Sequence, residues 1–121
     1  MIPSVFSFEK IALTAAIATA ASLIVLWIIR RRTNALSWAQ VVLLALGVGF
    51  SVLAWHMAGN VAQLNDDPIP PFSPNDLLCP IVTYVLLGIY ADFQRPADRA
   101  QWDRTRAWLT LVSFVVNVLF I

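Results

Sequence analysis

A chain of 121 residues has room for one domain, and 60% apolar residues against 12% charged is far outside the range of soluble domains of this size. The net charge of +1 gives neither the basic footprint of a nucleic-acid binder nor an acidic sink. A single cysteine, Cys79, excludes an internal disulfide and a thiolate metal cluster, and is expected to be a small buried residue.

The first uncharged stretch, 11–29, runs 19 residues before Arg30, Arg31 and Arg32 close it. At about 1.5 Å per residue it crosses a hydrocarbon core of about 30 Å. The run continues through Leu23, Ile24, Val25, Leu26 and Trp27 into the arginines, a stop-transfer pattern rather than a cleaved leader. Two small-residue rows lie along it at spacing four, Ala12, Ala16, Ala20 and Thr14, Ala18, Ser22, which let helix backbones approach closely in lipid. The second stretch, 38–58, carries a lean middle at Ala45, Gly47, Gly49 and Ser51, the expected mate of those rows.

Residues 59–76 form an outer loop whose Pro68, Pro70, Pro71 and Pro74 forbid regular helix and predict an extended strap. Its Asn65, Asp66, Asp67, Asn75 and Asp76 lack the spacing of a calcium loop. Asn75 or Asp76 is instead expected to cap the third helix, with Pro80 in its first turn. The third and fourth stretches, 77–91 and 107–121, offer 15 residues each and are short spans. Each gives only about 22 Å of helix. Between them, Asp98, Arg99, Asp103 and Arg104 alternate in sign, which predicts ion pairs on an interfacial helix beside anionic headgroups.

Seven of the eight basic residues, Arg30, Arg31, Arg32, Arg95, Arg99, Arg104 and Arg106, fall in the first and third loops (30–37 and 92–106), and the middle loop has none. Basic loops stay in the cytoplasm, so the sequence predicts an all-α, four-transmembrane-helix bundle with both termini outside, residues 1–121 forming one multi-pass membrane domain. Trp27, Trp38 and Trp108 at the inner border and Trp55 at the outer agree with this. Two spans followed by a re-entrant hairpin over 77–121 is the alternative.

Chemistry-bearing residues are few. No Asp, Glu, Lys or Arg lies inside the four stretches, which argues against a proton-coupled transporter. His56 is the one candidate cofactor ligand, to haem iron or a chlorophyll magnesium, although a plain interfacial polar residue is the expected role. No cofactor or metal is otherwise indicated. Asn117, an amide inside a span, is expected to hydrogen-bond between helices. Neither a zinc cluster, a serine–histidine–acid set nor a glycine-rich phosphate loop is present, so no enzymatic activity is expected.

Taken as a sequence, the chain predicts a non-catalytic accessory or structural subunit of a larger membrane complex, respiratory or photosynthetic for example. Its expected partners are membrane lipids and other integral membrane subunits or copies of itself, without nucleic acid. A holin-like self-assembling pore and a small oligomeric transporter or channel are the alternatives.

Overall fold

Serine and aspartate set where the helices begin. Ser7 accepts from the Lys10 amide at the start of α1 (Phe8–Thr33), and Ser37 shares a reciprocal capping box with Gln40 at the start of α2 (Trp38–Ala58). Ser73 precedes α3 (Pro74–Gln94), where Pro74 occupies the first turn and the Asp76 carboxylate accepts from the Ser73 amide at 2.8 Å. Asp98 accepts from the Gln101 amide at 3.0 Å and opens α4 (Arg99–Phe120). Asn34 and Arg95 end α1 and α3 in the left-handed region, at φ 52° and 47°. The structure, a computed structural model, describes residues 6–34, 36–60 and 73–121. The prolines Pro68, Pro70 and Pro71 and the acids Asp66 and Asp67 lie outside the described residues.

The helices run past the uncharged stretches wherever a cap stands beyond them. Arg30, Arg31 and Arg32 are the last turn of α1 rather than a loop, where the helix dipole favours cations. Arg99, Arg104 and Arg106 belong to the first two turns of α4. The third helix begins at Pro74, so neither Asn75 nor Asp76 is its N-cap, and Pro80 lies inside the helix, not in its first turn. There it supplies no N–H to the Asp76 carbonyl.

Three of the four helices, α1, α2 and α3, are long and apolar enough to cross a membrane. In α4 the charged first turns leave a shorter apolar run, 107–120. Each helix packs on its neighbour in sequence, and α4 closes the ring on α1 while α1 and α3 do not meet. Leu36, just before α2, and residues 95–98, between α3 and α4, share one end of the bundle, the basic end, where they line a common cleft.

Inward residues recur at helical spacing: Thr14, Ala15, Ala18, Ser22 and Leu26 on α1, and Leu44, Val48, Val52 and His56 on α2. Large apolar side chains point outward, among them Leu13, Ile24, Leu46, Phe50, Ile81, Val85 and Leu119, while eleven polar side chains are buried among the described residues. This reverses the polarity of a water-soluble bundle.

The two small-residue rows of α1 divide. Thr14, Ala18 and Ser22 are buried, whereas Ala12 is half-buried and Ala16 and Ala20 are exposed. Gly49 is where α1 and α2 come closest: a Cβ there would collide with the Thr19 hydroxyl and stand 3.2 Å from the Ala15 carbonyl oxygen. Gly47 faces open space. Gly49→Ala is therefore expected to destabilise the bundle by about 1–3 kcal/mol through overpacking. Gly47→Ala is expected to be neutral or slightly stabilising, because it removes only glycine's helix penalty. Thermal melts of the two variants in one detergent compare them directly.

Candidate functional site

Polar side chains converge inside the bundle, and each comes from a position that repeats down an inward face. Ser51, Thr83 and Ser113, on α2, α3 and α4, meet at one level. Counted from the basic ends of their helices, they stand about 17–21 Å along the bundle. The Thr83 hydroxyl is placed to donate to Ser113 Oγ at 2.9 Å or to the Cys79 carbonyl at 3.2 Å, and Ser51 Oγ lies 2.7 Å from Thr83 Oγ1 and donates to the Val48 carbonyl at 2.7 Å. Cys79, one turn before Thr83, is fully buried with its Sγ 3.9 Å from Ser113 Oγ.

One turn beyond Ser113, Asn117 donates from Nδ2 to the Ser113 carbonyl at 2.6 Å and turns Oδ1 to His56 Nε2. That polarity assigns the imidazole proton to Nε2 and makes Nδ1 an acceptor. Nδ1 is buried with no partner among the described residues. His56 is 1% exposed, so the expected interfacial placement is corrected: the ring is inside the bundle. With Nε2 engaged and Nδ1 enclosed, a haem or chlorophyll could reach neither nitrogen unless the helices parted.

Above this, Asn75 ties the start of α3 to the end of α2. Its Oδ1 accepts from Trp55 Nε1 at 2.8 Å, and its Nδ2 donates to the Gly59 carbonyl at 2.9 Å. Asn75 and Asp76 are thus core residues of α3, both buried, rather than loop residues.

The basic end uses its arginines on rings and carbonyls. Arg30 lies over Trp38 and Arg31 over Trp27, with guanidinium-to-ring distances of 4.6 and 5.0 Å. Arg106 donates through Nε and Nη2 to the Tyr84 carbonyl at 2.9 and 2.6 Å, across the space left by Gly88. No ion pair links Asp98, Arg99, Asp103 and Arg104 among the described residues, because Asp98 serves as a helix cap and Arg99, Asp103 and Arg104 are exposed. Between the start of α2, the end of α3 and the start of α4 lies a cleft of about 360 Å³, walled by Gln40, Tyr90, Arg95, Asp98 and Trp102 among others. Tyr90 and Trp102 pack with ring centroids 5.5 Å apart.

The structure therefore brings His56 and Asn117 together inside the bundle, while Ala16 and Ala20 are exposed on α1. Ser51, Thr83 and Ser113 had no place in the sequence expectations for chemistry, although Cys79 to Thr83 and Ser113 to Asn117 each repeat at spacing four, which puts them on one helix face. No protein-family model matches the chain, and neither a curated protein nor a solved structure is detectably similar to it.

Replacing Asn117 by leucine would leave His56 Nε2 without its acceptor. A double-mutant cycle of His56→Leu and Asn117→Leu, read by thermal melts in detergent, should give a coupling energy of about 0.6–2 kcal/mol.

Proposed function

We propose that the chain is an integral, multi-pass membrane protein whose four helices all cross the bilayer, with the basic end in the cytoplasm and both termini outside. In this setting it acts as a non-catalytic accessory subunit of a larger membrane complex. The observation that carries the reading is the division of its surfaces. The bonding side chains of Ser51, His56, Thr83, Ser113 and Asn117 are turned on one another inside, while α1 presents the small exposed residues Ala16 and Ala20 outward. A lean outward face suits close approach of another helix, because packing drives association in lipid.

Several features support the membrane placement. Large apolar side chains cover the outside, and Trp27 and Trp38 are 43% and 53% exposed within two turns of the basic end, where amphipathic rings favour the headgroup level. Basic residues mark the cytoplasmic side. The apolar part of α4 gives about 21 Å of helix, so the bilayer thins locally around it. Val48, Leu87 and Leu109, all nearly inaccessible, lie between the hydroxyl level and the basic end, which favours a packed subunit over a channel within one copy.

Single cysteines at Ala62 and Ala100, in a chain lacking Cys79, test the topology: an impermeant maleimide should label them from opposite sides, and labelling from one side removes the four-span arrangement. The subunit role is tested by a tagged pull-down in mild detergent with mass spectrometry. Larger integral subunits should copurify in fixed ratio, and Ala16→Leu with Ala20→Leu should release them. The melting behaviour of the double variant should stay close to that of the parent, since exposed substitutions typically change stability by no more than about 0.5 kcal/mol. Recovery of copies of the same chain alone would transfer the role to a self-assembling pore.

A further inference from the structure

The cleft at the basic end is lined by one cation and one anion three residues apart, Arg95 and Asp98, both exposed and neither in an ion pair among the described residues. Asp98 Oδ1 accepts from the Gln101 amide, which leaves its second oxygen open. Gln40 commits Oε1 to the Ser37 amide and one N–H to the Tyr90 hydroxyl, which leaves its second N–H to offer. In the wall, Trp102 is 5% exposed and packs its ring against Tyr90. An acceptor-rich group suits the guanidinium and the Gln40 N–H, and a cation suits the carboxylate.

We infer that this cleft holds the headgroup of a zwitterionic phospholipid of the phosphoethanolamine type, with the phosphate at Arg95 and the ammonium at Asp98. A purely anionic headgroup would leave Asp98 facing like charge, and a purely cationic one would do the same to Arg95. The cleft volume of about 360 Å³ lies within the range of small-ligand sites. The inference rests on the membrane placement proposed above, which sets this end of the bundle among headgroups, and not on the subunit role.

The test is native mass spectrometry of the purified chain in mild detergent, offered equal amounts of phosphatidylethanolamine and phosphatidylglycerol with the same acyl chains. The parent chain should retain one phosphatidylethanolamine with a preference of about tenfold. Asp98→Asn should erase that preference, and Arg95→Asn should release both lipids. Both variants keep their backbone roles, because asparagine caps helices and accepts the left-handed conformation of residue 95. Circular dichroism and melting should therefore match the parent. Equal retention of the two lipids by the parent chain, or a preference that survives in Asp98→Asn, overturns the inference. Displacement of the lipid by soluble phosphoethanolamine overturns the lipid as the occupant and assigns the cleft to a free zwitterion. A chain that stays monodisperse without detergent instead overturns the membrane placement, and this is read before lipid is added.

Discussion

Thr83 Oγ1 stands within hydrogen-bond reach of hydroxyls on two other helices, Ser51 and Ser113, and that meeting point organises the bundle. Ser51 and Thr83 can each turn back to a carbonyl of their own helix, Val48 and Cys79, and the contacts among the three hydroxyls hold α2, α3 and α4 at one level. Once that level is fixed, the spacing of four residues brings Asn117 one turn further, to the height of His56. The rotation of α4 is fixed by the same bonds. Leu109 and Val116 then face the core, and Leu111 and Leu119 face away.

Apolar packing alone could not select this register. Leu44, Val48 and Val52 would meet a range of partners with similar energy if the helices slid or turned, because dispersion contacts have little direction. Hydrogen bonds do have direction, and in a setting without water each buried polar group has few alternatives. The close contact at Gly49 adds a second constraint, since only a residue without a side chain lets α1 reach α2 at Ala15 and Thr19. Asn75 adds a third, by tying the start of α3 to Trp55 and Gly59 at the end of α2.

The same economy of polar groups separates inside from outside function. A core whose hydrogen bonds are largely internal has little left for a passing solute, and the fully buried aliphatic residues beneath the hydroxyls add to that closure. The surfaces that remain open are the small face of α1, the aromatic and arginine border, and the cleft between the ends of α2, α3 and α4.

Composition and spacing by themselves determined that the chain is helical, that it divides into four apolar segments, and that its basic residues gather at alternate turns. Apolar runs, serine caps and arginine clusters are local quantities, and α2 was bounded at 38–58 from them alone. They did not set the ends of α1, α3 and α4, because a helix ends at a cap and not at the first charge. Ser7, Ser73 and Asp98 stand several residues beyond the uncharged runs. The alternation of Asp98, Arg99, Asp103 and Arg104 suggested ion pairs, but the capping of α4 took Asp98 first. Nor could the sequence place His56, whose position two residues before the end of α2 suggested contact with water. Only the tertiary structure decided that α4 would bring Asn117 against it, because whether a polar ring is buried or wet depends on what the neighbouring helices carry at that height.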